Sequence, residues 1–77
     1  MEGMKMDMID RMVAARTDHD ESQAQLAKAL GVNRVQWAKY ENRTNEPPVR
    51  LVLAFCQHYS VSADYLLGLP RDLEWPR

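Results

Sequence analysis

Two helix-start signals that stand eleven residues apart, with a glycine between them, constrain this sequence more than any other feature. Ser22 and Gln25 form a Ser-x-x-Gln capping box, in which each side chain accepts a hydrogen bond from the other residue's backbone N–H. Asn33 and Gln36 repeat this pattern as Asn-x-x-Gln. Gly31 stands where the first helix should end, at a position whose positive φ angle costs little only for glycine. The spacing therefore predicts two short helices joined by a three-residue turn.

The residues around this turn meet the packing requirements of a helix-turn-helix. Ala27 is a small residue at the point where the two helices should cross, and Trp37 and Tyr40 are spaced to face inward from the second helix. The remaining positions that we expect to be buried here are Leu26, Leu30 and Val32. The pattern is specific because the small residue, the glycine and the inward aromatic pair occur in the required order.

The rest of the chain predicts three further helices and no strand, because no stretch alternates apolar and polar residues for long enough. The first helix is expected over about residues 6–17, with Asp7 as its N-cap. A fourth helix should carry Pro48 in its first turn, and a short fifth should run from Ser62 as N-cap to Leu67, with Gly68 closing it. The predicted fold class is all-α. Besides the apolar helix faces, the side chains expected in the core are those of Trp37, Tyr40, Phe55, Cys56 and Tyr65.

Composition excludes several other kinds of protein. The 77 residues suffice for one small domain, which we expect to span 1–77 with its core at about 6–68 and a tail at 69–77. The single cysteine, Cys56, excludes an intramolecular disulfide and a Cys-rich zinc site, and fits a reducing cytoplasm. No apolar run approaches the ~18 residues needed to span a bilayer. His19 and His58 are too isolated for a metal site, and no nucleophile–base set is visible, so we expect no metal, cofactor, small-molecule ligand or enzymatic activity.

Charge is distributed unevenly along the chain. The formal net charge is −1, which by itself argues against a polyanionic partner. However, residues 22–50 carry five basic and two acidic groups, whereas residues 1–21 carry three basic and six acidic groups. The excess of positive charge therefore coincides with the predicted helix-turn-helix, where binding to DNA phosphates would require it.

From Arg11 to Leu67 the sequence resembles the Cro/repressor-type helix-turn-helix domains of the XRE family, over roughly three quarters of the chain. The residues that carry this resemblance are Arg16, Ser22-Gln23-x-x-Leu26-Ala27, Leu30-Gly31-Val32-Asn33-Arg34, Tyr40-Glu41, Pro47 and Val61-Ser62-x-Asp64-Tyr65-Leu66-Leu67-Gly68. The resemblance implies a five-helix bundle, the lambda repressor-like DNA-binding domain. It also implies a transcriptional repressor of a phage or bacterium that binds double-stranded DNA at a palindromic operator as a homodimer.

The resemblance further implies roles for individual residues. Those expected to read base edges from the second helix of the motif are Arg34, Val35, Gln36, Ala38 and Lys39. Those expected to contact the DNA backbone are Gln23, Asn33, Arg43, Thr44 and Asn45. Arg16 and Glu41 match an ion pair of the family, which we interpret as structural.

Two questions stay open at the level of sequence. Apolar residues on the fifth helix and in the tail should fold back on the domain or pack on a second copy, and the candidate dimer contacts are Tyr65, Leu69, Leu73 and Trp75. The alternative to DNA binding is a helix-turn-helix module, such as an antitoxin, that acts mainly through a protein partner. In that case Arg34 and Lys39 would be ordinary solvated charges.

Overall fold

The computed structural model describes residues 6–69, and over this range the chain forms five helices and no strand. The helices are α1 (Met8–Asp18), α2 (Gln23–Leu30), α3 (Arg34–Glu41), α4 (Val49–Tyr59) and α5 (Ala63–Leu67). The predicted all-α, five-helix architecture is confirmed. Two of the candidate dimer contacts, Leu73 and Trp75, lie outside the described residues. The longest described helices have only 11 residues, too few to cross a membrane.

Side-chain caps determine where the first two helices begin. The Asp7 carboxylate accepts a hydrogen bond from the Asp10 N–H at 2.9 Å, and the Asp10 carboxylate accepts one from the Asp7 N–H at 3.1 Å. This box makes Asp7 the N-cap, as predicted, so α1 begins at Met8 rather than at about residue 6. The predicted Ser22–Gln25 box is also present, with reciprocal distances of 3.0 and 2.8 Å.

The predicted second capping box is only half right. Asn33 caps α3 by accepting from the Gln36 N–H at 2.7 Å. The Gln36 side-chain oxygen does not accept the reciprocal bond from the Asn33 N–H. The Gln36 Nε2 donates to the Tyr40 hydroxyl at 2.9 Å. The sequence predicts Pro48 inside the first turn of α4. Its extended backbone (φ −68°, ψ 158°) makes it the N-cap instead, and the helix begins at Val49.

All five helices contribute side chains to the core, which is built around two stacked aromatic rings. The Trp37 and Phe55 rings are nearly parallel, with centroids 6.0 Å apart, and the Tyr40 ring meets Trp37 edge-on at 5.5 Å. Burying each such side chain contributes about 1.5–3 kcal/mol to folding. The other large, fully buried side chains are Met12, Leu26, Leu51 and Leu66.

The expected core residues Trp37, Tyr40, Phe55 and Cys56 are buried, but Tyr65 is not. Its side chain is 51% exposed because α5 turns the neighbouring Leu66 into the core instead. The Tyr65 ring lies under the Arg11 guanidinium, 5.6 Å from its centroid. In a helix of five residues only one narrow face can be inward, so adjacent apolar residues cannot both be core.

Candidate nucleic-acid interface

The turn between α2 and α3 fixes the relative orientation of these two helices. Gly31 adopts the left-handed conformation, with φ +79°, and the next backbone N–H, of Val32, donates to the Ala27 carbonyl at 2.9 Å. An added Cβ at Gly31 would meet no atom within 4 Å. Glycine is therefore required here for its backbone conformation and not for space. Ala27 is buried beneath the crossing, as its small size predicts.

Helix α3 divides into a buried face and an exposed face. Trp37 and Tyr40 face the core, while Arg34, Val35 and Lys39 lie exposed on the opposite side. The exposed set consists of three of the five residues predicted to read bases. The other two, Gln36 and Ala38, are half-buried, and the Gln36 amide nitrogen is bonded to Tyr40. The arrangement presents two cationic side chains and one apolar side chain on a rigidly docked helix.

Glu41, at the end of α3, joins three helices through its carboxylate. Arg16 of α1 donates from Nε to Oε2 at 2.7 Å and from Nη2 to Oε1 at 3.0 Å. Gln23, the first residue of α2, donates to Oε1 at 2.9 Å, and the Trp37 indole N–H donates to Oε2 at 2.7 Å. The sequence pointed to the Arg16–Glu41 pair but missed these last two donors. The spacing of four residues between Trp37 and Glu41, which places both on one helix face, is a signal that could have found one of them.

The environment of Glu41 shifts its ionisation. Its side chain is only 8% exposed, and this burial acts to raise its pKa. The hydrogen bonds from Arg16, Gln23 and Trp37 outweigh burial, so the pKa of Glu41 lies below its ordinary value. The same pairing raises the pKa of Arg16. Both groups are therefore charged at neutral pH.

The residues expected at the DNA backbone lie at two places. Gln23 and Asn33 stand at the N-terminal ends of α2 and α3, where helix geometry leaves the first N–H groups without intrahelical acceptors. Thr44 and Asn45 lie exposed in the loop after α3, which folds back so that both of their backbone N–H groups donate to the Lys39 carbonyl, at 2.9 and 3.1 Å.

Arg43 belongs to the same loop but is engaged elsewhere. Its Nη2 donates to Asp7 Oδ1 and to Asp10 Oδ1, each at 2.9 Å, so its guanidinium is bound to the N-terminal end of α1. The Arg43 backbone has φ +67°, a conformation that non-glycine residues rarely adopt. No sequence pattern predicts this contact, because Asp7 and Asp10 are more than 30 residues away along the chain.

An apolar groove lies on the surface formed by α4 and α5. Its most exposed members are Val49, at 83%, Leu53 and Leu67. The groove is completed by Met8, Pro47, Val52 and Ala63. The predicted dimer contacts Tyr65 and Leu69 are exposed but lie in a separate depression beside Arg11.

Solved structures provide a comparison for this fold. The P22 c2 repressor in complex with a synthetic operator is 33% identical, with a TM-score of 0.73 over 82% of this chain and 96% of that one. The solution structure of the P22 c2 repressor DNA-binding domain is 31% identical, with a TM-score of 0.73 over 83% of this chain and 84% of that domain. A transcriptional regulator from Listeria innocua, at 17% identity, shares the fold, with a TM-score of 0.76 over 92% of this chain and 66% of that one.

Sequence relatives identify the family. YobD of Bacillus subtilis (strain 168), named as an uncharacterized HTH-type transcriptional regulator, is 32% identical over 62 residues, which make up 80% of this chain and 55% of YobD. The chain thus spans about half the length of that relative. The sequence model of the helix-turn-helix domain family matches residues 10–73. The chain therefore belongs to this helix-turn-helix family.

Proposed function

We propose that this chain is a sequence-specific DNA-binding transcriptional regulator that represses by occupying an operator. The observation that carries the proposal is the exposed face of α3. Arg34, Val35 and Lys39 project from a helix that is anchored by buried Trp37 and Tyr40, on a fold similar to a repressor solved with its operator. A guanidinium suits guanine O6 and N7, and an exposed valine suits a thymine methyl group.

Backbone contacts would position α3 in the groove. Gln23 and Asn33, with the free N–H groups at the starts of α2 and α3, provide donors to one stretch of phosphates. Thr44 and Asn45 provide donors to a second stretch at the other end of α3. Gln23 is held in place by Glu41, which accepts one of its amide hydrogens and leaves the other available.

We further propose that the chain binds as a homodimer through the groove on α4 and α5. Val49, Leu53 and Leu67 expose apolar surface that a second copy would bury. Two-fold symmetry of the protein would then match a palindromic operator. This location differs from the surface of Tyr65 and Leu69 that the sequence favours, because those two residues do not line the groove.

Selection of bound sequences from a random duplex library tests the proposed function. The wild-type chain should enrich a palindromic motif. Arg34→Ala should weaken binding to that motif by about 1–3 kcal/mol and relax the preference at one base position. Arg50→Ala is the matched control, since it removes an equal exposed charge from α4 and should leave the motif unchanged.

The contrary outcomes are equally definite. Absence of any enriched motif would reject sequence-specific binding and favour a protein-binding module, with exposed Val35 on its docking face. An enriched motif that is identical for the wild-type chain and Arg34→Ala would reject the base-reading role of Arg34.

A further inference from the structure

Asp7 and Asp10, at the N-terminal end of α1, bind the side chain of Arg43, which the sequence predicts to contact the DNA backbone. Arg43 donates to Asp7 Oδ1 at 2.9 Å and Oδ2 at 3.1 Å, and to Asp10 Oδ1 at 2.9 Å. Its Nε lies 3.4 Å from Asp7 Oδ2. Two of the three guanidinium nitrogens are therefore engaged with carboxylates, and within residues 6–69 no carboxylate accepts from Nη1.

The two carboxylates are fixed in position. Each also accepts a backbone hydrogen bond in the capping box of α1, at 2.9 and 3.1 Å. The bond from the Asp10 N–H is the largest influence that keeps the pKa of Asp7 below its ordinary value, with the Arg43 contacts adding to it. Asp7 therefore stays charged at neutral pH.

The local charge opposes a phosphate. One guanidinium faces two carboxylates, and Glu46 lines the same surface depression as Asp7, Arg43 and Asn45. A phosphate approaching Asn45 would meet this excess of negative charge. Because these side chains are roughly half exposed, the repulsion would be strongest at low ionic strength.

We propose that Asp7 and Asp10 act as an electrostatic brake on DNA binding: they sequester Arg43 and place negative charge beside the α3–α4 loop. The brake lowers affinity for any duplex, because it acts on phosphate contacts and not on base readout. The partner that it disfavours is the DNA backbone, and its removal adds one phosphate contact, made by Arg43. This inference rests on the proposed DNA binding.

Salt dependence of binding to a random-sequence duplex tests the brake. Asp7→Asn with Asp10→Asn removes both charges and keeps the capping oxygens, since asparagine is as good an N-cap as aspartate. This double variant should bind several-fold more tightly at ~50 mM salt, and its log–log salt slope should steepen by about one, the increment for one phosphate contact. Adding Arg43→Gln should abolish the steepening of the slope and leave only the part of the tighter binding that comes from the lost repulsion, whereas Arg43→Gln alone should change the wild-type slope little.

Asp18→Asn with Asp20→Asn is the matched control. It makes the same change in net charge at the other end of α1, about 15 Å away along the helix. Asparagine also tolerates the positive φ of Asp20. The salt slope of this control variant should not steepen, because the variant leaves Arg43 bound to Asp7 and Asp10.

Each outcome of the salt-dependence measurements supports or overturns the brake. Equal slopes for the wild-type chain and Asp7→Asn/Asp10→Asn would overturn the brake. So would a slope already reduced by about one in Arg43→Gln alone, because Arg43 would then contact phosphate while bound to the carboxylates. Binding to the random-sequence duplex that appeared only in the double variant and needed Arg43 would still support the brake. Absence of such binding in every variant would overturn the brake, whereas the proposed function is rejected separately, by the absence of an enriched motif in the selection experiment.

Discussion

Glu41 shows how a single side chain fixes the geometry of a surface that it does not itself form. Its carboxylate is nearly buried, which is unfavourable for a charge unless hydrogen bonds replace the lost water. Four donor bonds from Arg16, Gln23 and Trp37 supply that replacement. Because these donors come from α1, α2 and α3, the same carboxylate ties the end of α3 to the other two helices.

We expect Glu41→Gln to lower the free energy of unfolding by roughly 2–3 kcal/mol at neutral pH, somewhat less than the loss for a fully buried pair because Arg16 keeps some solvent contact. The folded-state pKa of Glu41 is depressed, so its stabilisation is present above the ordinary value of 4.5 and is lost as pH falls through the folded value. The variant should therefore differ most from the wild-type chain near pH 7 and approach it in acid. Urea denaturation at both pH values measures this.

Glu46→Gln is the control for that experiment, since Glu46 is exposed in the α3–α4 loop. It should change stability by under about 0.5 kcal/mol. A Glu41→Gln difference that stayed constant down to strongly acidic pH would contradict the assigned role of the carboxylate charge.

Among the elements, the short turn between α2 and α3 depends on one backbone conformation. The Ser22 box begins α2 and Gly31 ends it in the left-handed region, so that Asn33 can begin α3 at once. These three positions confine the connection to the three residues 31–33, and α3 packs closely against α2 with Ala27 buried. The geometry of the motif is thus local in origin.

Gly31→Ala should destabilise the domain by about 1 kcal/mol, because alanine is strained at φ +79° while its Cβ meets no neighbour. Gly31→Asn should recover part of this loss, since asparagine tolerates the left-handed region. Thermal denaturation of both variants provides the measurement. A loss of several kcal/mol in both would show that steric contact, rather than backbone strain, decides this position.

For the whole molecule, the apolar groove on α4 and α5 is the main feature of residues 6–69 that bears on assembly. If it is the dimer interface, Leu53→Asp should convert the chain to a monomer in sedimentation experiments, because a charge would be buried at the interface. The variant should keep weak binding to a single half-site and lose tight binding to the palindrome. Ala29→Asp, which adds the same charge at an exposed position of α2 away from the groove, is the matched control.

A second variant distinguishes the two candidate dimer interfaces. If Tyr65→Asp made the chain monomeric while Leu53→Asp left the dimer intact, the interface would lie on the α5 surface that the sequence favoured, beside Arg11.

The features that the sequence predicts correctly are those that depend on contacts between residues close together in the chain. Asp7, Ser22 and Ser62 were correctly identified as caps because a capping side chain bonds to a backbone N–H within three residues. Trp37 and Tyr40 were correctly placed inward because helical periodicity fixes their direction. The prediction for Gln36 is wrong in part: its side chain does not complete the capping box and instead donates to the Tyr40 hydroxyl one turn further along α3, so even a local pattern allowed two outcomes.

The sequence by itself determined five helices, the tight turn at Gly31 and the split of charge between residues 1–21 and 22–50, since each depends on residues near one another in the chain. Only the tertiary structure decided that Arg43 is bound by Asp7 and Asp10, that Glu41 gathers donors from three helices, and that Tyr65 faces solvent while Leu53 lines a groove. The physical reason is that these contacts join segments distant in sequence, and local propensity holds no information on which of several possible donors and acceptors the packed helices bring together.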